Sequence, residues 1–341
     1  MKKIAIFCVG TGGHVLPAKN IIMQLNNEGV ELDNFIVITD ERGSKYLKDL
    51  KTKIYIQDIY RSKIGLIGYI LNIHKLLNTF IQMRKILKKE KTKLSFSTGS
   101  YIAPIASLIS FTLGIKYFGH EQNIYAGLGN KISCYLPGII FTSYPETKNL
   151  LKNKKKYVGP VISEDIVKKN NTNKEILTIG IQGGSQGSEE INNYIFKFLS
   201  KNSLQSVKFL HITGIGNSNK FIDNKNYKKM EFVNNMNNYY SKINFQISRS
   251  GGGALEAAYL GIPQILIPFK HGTTSSHQLM NAEYLTKLGV AILVKSYVDF
   301  ESTLLNVIKE YNLDNRKLFK TVKIDIGNKK ITKYLKESFY E

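Results

Sequence analysis

The sequence predicts an α/β protein of two doubly wound domains, each with a mostly parallel sheet, on three observations. Strand-like apolar runs alternate with helix-period segments along the whole chain. A strand, a glycine-rich turn and a helix open the chain, and the same unit returns about 170 residues later. Finally, 341 residues that are 43% hydrophobic and 22% charged suffice for two cores and argue against disorder.

In the first half, Lys3–Val9 reads as a buried strand, followed by Gly10-Thr11-Gly12-Gly13-His14 and a helix from Pro17 to Asn27. The run is short and no small-x-small cleavage site follows, so a strand fits better than a signal peptide. Further strands are expected at Asn34–Thr39, Lys53–Gln57, Leu94–Ser97, Lys116–Gly119 and Gly138–Thr142. In the second half, a strand at Ile176–Gln182 leads through Gly183-Gly184-Ser185-Gln186-Gly187 into a helix over Ser188–Leu199. Val207–Thr213, Lys229–Phe232, Asn244–Ser248, Gln264–Ile267 and Ala291–Val294 follow as strands. The join falls near Gly159–Lys174, where Gly, Pro, Ser and Asn concentrate. The domains are therefore expected at 1–160 and 161–325, with a closing helix in 326–341 that returns to the first domain.

Composition removes several classes of function. Two cysteines, Cys8 and Cys134, make no disulfide framework, and no CxxC suggests zinc. No stretch reaches the roughly 18 apolar residues of a membrane-spanning helix. The net charge is +22, from 48 Lys+Arg against 26 Asp+Glu, which suits an anionic partner. Lys, Asn and Ile are enriched together, however, and that pattern also follows from base composition alone. No zinc-finger or RNA-recognition signature supports nucleic acid as the partner.

Five motifs carry chemistry. The turn Gly10, Thr11, Gly12, Gly13 lets backbone N–H groups approach an anion at a helix start. His14 there either caps the helix or serves as a general base. In Gly119–Gly127, His120, Glu121, Gln122 and Asn123 follow an apolar strand, where open α/β sheets bind ligands. The turn Gly183–Gly187 repeats the anion cradle, with Ser185 and Gln186 as added donors. It matches neither the dinucleotide fingerprint nor a phosphate-binding P-loop. In Ser248–Glu256, glycines beside Arg249 suit a diphosphate, and Glu256 suits the diol of a ribose. Gln278 and Asn281, three apart on one helix face, can pair with sugar hydroxyls or form ordinary surface polarity.

Taken in order, Gly10–Ala18, His120–Asn130, Gly183–Ser188, Ser248–Glu256 and His277–Ala282 resemble the family 28 glycosyltransferases of the GT-B fold. The resemblance implies two Rossmann-like domains facing across a cleft. It implies an inverting transfer of N-acetylglucosamine from UDP-N-acetylglucosamine to the muramyl C4 hydroxyl of a polyprenyl-diphosphate-linked acceptor in peptidoglycan synthesis. No tightly bound cofactor or essential divalent metal is implied. Carried over, His14 is the first choice for catalytic base and Glu121 the second, with Gly10, Thr11, Gly12, Gly13 and Asn123 on the acceptor side. Gly184, Ser185, Gln186, Gly187, Arg249, Gly252 and Gly253 meet the donor diphosphate. The Phe232–Val233 backbone and Met236 cover the base, Glu256 takes the ribose, and Gln278 and Asn281 hold the sugar. The chain departs from the family pattern at Val9, where a glycine is usual, and at Ile162, where an arginine is expected. It is also about one residue shorter between Arg249 and Glu256.

Residues 64–93 join Ile64, Leu66, Ile67, Tyr69, Ile70, Leu71, Leu76, Leu77, Phe80, Ile81 and Leu87 to Arg84, Lys85, Lys88, Lys89, Lys91 and Lys93. Such a segment either packs on the core with a solvated basic end or docks on an anionic membrane surface. The resemblance favours docking, hence a peripheral place on the cytoplasmic face of the plasma membrane. The alternatives are another lipid-linked acceptor, a UDP-sugar epimerase, a non-catalytic relative and a basic nucleic-acid-binding protein.

Overall fold

The computed structural model describes residues 2–60, 62, 67–68, 71–167, 176–202, 206–270, 275–312, 319 and 322–341. Of the apolar segment proposed for membrane docking, Ile64, Leu66, Tyr69 and Ile70 lie outside the described residues, as does part of the expected join. The chain divides into two units, Met1–Ser163 with Ile326–Glu341, and Glu164–Asp325.

The first unit is built on seven strands: β1 (Lys3–Phe7), β2 (Phe35–Thr39), β3 (Lys53–Ile56), β4 (Thr92–Ser97), β5 (Lys116–Glu121), β6 (Ile139–Thr142) and β7 (Lys155–Tyr157). They lie in the order β3-β2-β1-β4-β5-β6-β7, and every pair is parallel. Side chains alternate along a strand, so β1 divides its residues between two cores. Ile4 and Ile6 pack with the helix Gly12–Asn27 and with Ile331, Leu335 and Phe339 of the closing helix Asn328–Tyr340. Ala5 and Phe7 pack on the other face with Met83 and Leu87 of the helix Ile73–Lys89 and Ile109 of the helix Ala103–Leu113. The second of these helices begins with Pro104 in its first turn and stops at the left-handed Gly114.

The second unit has six strands: β8 (Leu177–Gln182), β9 (Val207–Ile212), β10 (Tyr227–Met230), β11 (Phe245–Ser248), β12 (Gln264–Leu266) and β13 (Ala291–Leu293). Their order is β10-β9-β8-β11-β12-β13, again all parallel. Both sheets reverse direction beside their first strand, between β1 and β4 and between β8 and β11. At such a switch point the loops leaving the two strands part and open a crevice at the carboxyl edge, where ligands of this fold bind. The glycine turns after β1, β8 and β11 all stand at those edges.

Four elements differ from the sequence expectation. The first helix begins at Gly12 rather than Pro17; the proline ring replaces one intrahelical hydrogen bond inside the helix. β5 runs on through His120 and Glu121, because these residues pair with Phe141 and Thr142 of β6. β10 is shifted to Tyr227–Met230, which leaves Phe232 and Val233 in the loop beyond it. The edge strand β7, Lys-Lys-Tyr, carries no apolar run to announce it.

Candidate functional site

In the first unit the site begins at Gly10, whose φ of +91° favours glycine. Its N–H does not wait for a ligand: it donates to Asp40 Oδ1 at 2.8 Å, which also accepts from Gly43 N at 2.9 Å. Asp40 Oδ2 accepts from the Tyr101 hydroxyl at 2.7 Å, with Arg42 Nε at 3.4 Å. Burial pushes the Asp40 carboxyl up, but the bonds from Gly10, Tyr101 and Gly43 and the Arg42 charge hold it below its ordinary range. The expected anion cradle thus already contains a carboxylate at its first amide. In the sequence, only its place directly after the apolar run Phe35–Thr39 marks Asp40 as a site residue.

His14 sits in the first turn of the helix Gly12–Asn27, with Nδ1 2.9 Å from the Thr98 carbonyl at the end of β4. A carbonyl only accepts, so Nδ1 carries the hydrogen and Nε2 presents a lone pair. Among the described residues nothing occupies Nε2. His120, on β5, is buried with Nε2 3.1 Å from Ser143 Oγ. Burial, helped by the charge of nearby His14, pushes it down to about 3, so it stays neutral.

Glu121 is a correction to the sequence reading. Its buried carboxylate accepts four hydrogen bonds: from Asn123 N at 2.9 Å and Nδ2 at 3.0 Å on Oε1, and from Gly127 N at 3.0 Å and Asn130 Nδ2 at 2.8 Å on Oε2. Both oxygens are committed to holding the 121–130 loop, and neither is left to take a substrate proton. Asn123 is part of the same knot.

In the second unit, Gly187 N donates to Gly184 O at 3.0 Å and closes a turn whose tip exposes Ser185 and Gln186. Gly187 has φ +75°, and a Cβ there would lie 2.4 Å from the Thr213 carbonyl. The turn feeds the helix Glu189–Lys201, capped by Ser188 Oγ, which accepts from Ile191 N at 3.3 Å. Across the switch point, Gly251 and Gly252 open the helix Gly252–Leu260 with nothing within 4 Å of where a side chain would begin. No side chain caps that helix start, so its first amides are free to meet an anion.

Arg249, expected at the diphosphate, is engaged inside the protein instead. Nη1 donates to Glu190 Oε2 at 2.8 Å and to the carbonyls of Ile267 at 2.9 Å and Pro268 at 3.1 Å; Nη2 donates to Ser188 Oγ at 2.7 Å. It ties the first glycine turn to the end of β12. Asn281, expected at the sugar, is buried and donates to the Ser250 carbonyl at 3.0 Å, bracing the second turn from the helix Ser275–Lys287. Gln278 is half-buried; its Oε1 accepts from Phe269 N at 3.0 Å, and its own carbonyl accepts from Ser250 Oγ at 2.6 Å. Val233 lies in the loop after β10, beside half-exposed Phe232, and Met236 opens the short helix Met236–Tyr240. Glu256, on the helix Gly252–Leu260, accepts from the Tyr240 hydroxyl at 2.7 Å on Oε2.

Two parallel sheets with glycine turns at both switch points, one beside a histidine and one beside a carboxylate, define a doubly wound α/β protein of two such units. Residues 4–138 match the glycosyltransferase family 28 N-terminal domain and residues 178–336 its C-terminal domain. The chain belongs to glycosyltransferase family 28. It is 30% identical over 327 residues to the UDP-N-acetylglucosamine--N-acetylmuramyl-(pentapeptide) pyrophosphoryl-undecaprenol N-acetylglucosamine transferase of Thermosipho melanesiensis, covering 94% of this chain and 95% of that one. The fold is that of the crystal structure of Acinetobacter baumannii MurG, with a TM-score of 0.78 at 21% identity, over 99% of this chain and 100% of that one. It is shared at lower similarity by the UDP-GlcNAc 2-epimerase of Neisseria meningitidis, with a TM-score of 0.66 at 17% identity and full coverage of both chains.

Proposed function

We propose that this protein transfers N-acetylglucosamine from UDP-N-acetylglucosamine to the N-acetylmuramyl unit of a pyrophosphoryl-undecaprenol-linked pentapeptide. The observation that carries the reading is the end-to-end similarity to relatives named for that transfer, at 30% identity over 94% of the chain. The acceptor hydroxyl oxygen attacks the anomeric carbon as its bond to the UDP oxygen breaks, with inversion. The hydroxyl proton passes to His14 Nε2, whose opposite nitrogen is held by the Thr98 carbonyl. In the second unit, the uncapped amides of Gly252 and Gly253 at the helix start and the Ser185–Gln186 tip take up charge developing on the diphosphate. Val233 and Met236 flank the base, and Glu256 meets the ribose hydroxyls. Gln278 retains an amide for the sugar, while Arg249, Asn281 and Glu121 hold loops in place. No divalent metal is assigned to the step. Incubating the protein with UDP-N-acetylglucosamine, with and without undecaprenyl-linked muramyl acceptors, and weighing the products tests the reading. Glycosylated lipid is expected; isomerised UDP-sugar without acceptor would point to an epimerase instead.

The acceptor lipid calls for a membrane surface, and the helix Ile73–Lys89 suits one. Ile73, Leu77 and Ile81 form an exposed apolar stripe, with Ile67 and Leu71 before it, Leu108 and Phe111 on the neighbouring helix, and Lys85, Lys88 and Lys89 exposed at its end. Among the described residues, no helix is long and apolar enough to cross a membrane. We therefore place the protein peripherally on an anionic leaflet at the cytoplasmic face. Co-sedimentation with vesicles is expected to rise with anionic lipid, fall with salt, and weaken in a Leu77→Glu, Ile81→Glu double variant. Binding indifferent to all three would remove the docking role.

A further inference from the structure

Behind the donor-side turns lies a chain of buried polar side chains that the transfer does not itself use. Three glutamines stand on adjacent strands, Gln182 on β8, Gln246 on β11 and Gln264 on β12, all buried. Gln182 Nε2 donates to Gln246 Oε1 at 2.8 Å and to the Tyr240 hydroxyl oxygen at 3.0 Å. Gln246 Nε2 donates to Ser248 Oγ at 3.0 Å, Gly253 O at 3.2 Å and Gln264 Oε1 at 3.3 Å, and Gln264 Nε2 to Ala254 O at 2.9 Å. The ladder thus grips the first turn of the helix that carries Glu256. Its polarity also decides the direction of one proton. Because Tyr240 accepts from Gln182, its single O–H points away, and the acceptor it meets at 2.7 Å is Glu256 Oε2; Gly253 O is a distant second at 3.4 Å. Among the described residues Glu256 Oε1 has no partner.

From this geometry we infer that Tyr240, oriented by Gln182, is a positioning residue for donor recognition: it locks one carboxylate oxygen of Glu256 so that the other is presented to the nucleotide's ribose diol. The inference rests on the reading that Glu256 meets those hydroxyls. It goes beyond that reading by assigning the selectivity for a ribonucleotide to two residues that never touch it. Burial raises the Glu256 carboxyl above its ordinary range, and the Tyr240 bond opposes that rise. Among the described residues, Tyr240 is the titratable group facing the carboxylate, and the glutamines of β8, β11 and β12 behind it are neutral amides.

The test is calorimetric titration of the intact protein with UDP and with 2′-deoxy-UDP, whose affinity ratio reads the hydroxyl contact in folded molecules only. The wild type is expected to prefer UDP by about tenfold, Tyr240→Phe by about twofold, with deoxy affinity nearly unchanged. Gln182→Met, which leaves the Tyr240 hydroxyl free to turn, is expected to fall between them. In Tyr240→Phe the loss of UDP binding on acidification moves to higher pH, a shift that loosened packing alone does not produce. Should Glu256→Gln erase the preference while Tyr240→Phe and Gln182→Met keep the wild-type ratio and pH profile, the positioning role is overturned and the ribose contact stands. Should Glu256→Gln itself keep the ratio, the ribose contact falls, and the role of Tyr240 falls with it.

Discussion

With its Nδ1–H held by the Thr98 carbonyl, His14 keeps one tautomer, and a single lone pair is left for an incoming hydroxyl. His14→Ala is expected to lower turnover at least tenfold while donor affinity stays nearly constant, as read by radiolabelled sugar transfer beside UDP titration. Unchanged turnover would take the histidine out of the reaction. Glu121 behaves differently, because its two oxygens accept from four donors in a buried site. Glu121→Gln turns one acceptor into a donor facing donors, and should cost about 2–4 kcal/mol in denaturant unfolding. A loss of turnover with full stability would return it to the list of bases. The sequence named both residues but could not separate them, since it shows side-chain types and not which lone pairs are already taken. Arg249 and Asn281 illustrate the same limit: each has the right chemistry for a ligand, and the fold engages it with Ser188, Glu190 and Ser250.

At the level of elements, glycines in the two turns of the second unit serve different ends. Gly187→Ala drives a methyl into the Thr213 carbonyl at a positive φ, so it should destabilise the second unit by more than about 1 kcal/mol. Gly252→Ala meets open space in the first turn of a helix, so melting should be unchanged or raised while UDP affinity falls. Equal effects of the two substitutions on stability would contradict this division. Parallel strands buried on both faces were plain in the sequence as apolar runs, β1, β2 and β8 above all. β7 escaped because a sheet edge needs only backbone partners, and β10 slipped because the polar–apolar alternation of Lys229, Met230, Glu231 and Phe232 runs on past its end. The glycine turns were legible throughout, since backbone approach demands the same residue whatever surrounds it.

For the molecule as a whole, acid is the expected weakness. His120 and His211 are buried and pushed down to about 3, His211 between the Tyr227 hydroxyl at 2.7 Å and Asn192 Oδ1 at 3.0 Å. An unfolded histidine takes up a proton near its ordinary value of about 6.5, whereas these two refuse it while folded. Their contribution is therefore fully present above that value and is lost as pH falls toward 3, approaching about 1 kcal/mol per pH unit for each. Thermal melts from pH 7 to pH 5 should show the decline, and His211→Gln, which cannot titrate, should flatten it. A slope identical to wild type would show that His211 is not its source. This weakness was beyond the sequence, which lists six histidines without saying which are sealed from water.

The helix Asn328–Tyr340 seals the same core as β1, and Asn328 reaches back to grip Ile162, its Oδ1 accepting from N at 3.0 Å and its Nδ2 donating to O at 2.7 Å. The first unit is therefore discontinuous, whereas Glu164–Asp325 is one uninterrupted stretch. On the ribosome the order of completion runs against the order of synthesis: the later unit can close as soon as it emerges, while the earlier one waits, one apolar sheet face uncovered, for the final helix. Nascent chains halted before residue 326 should consequently be the species that chaperones hold longest.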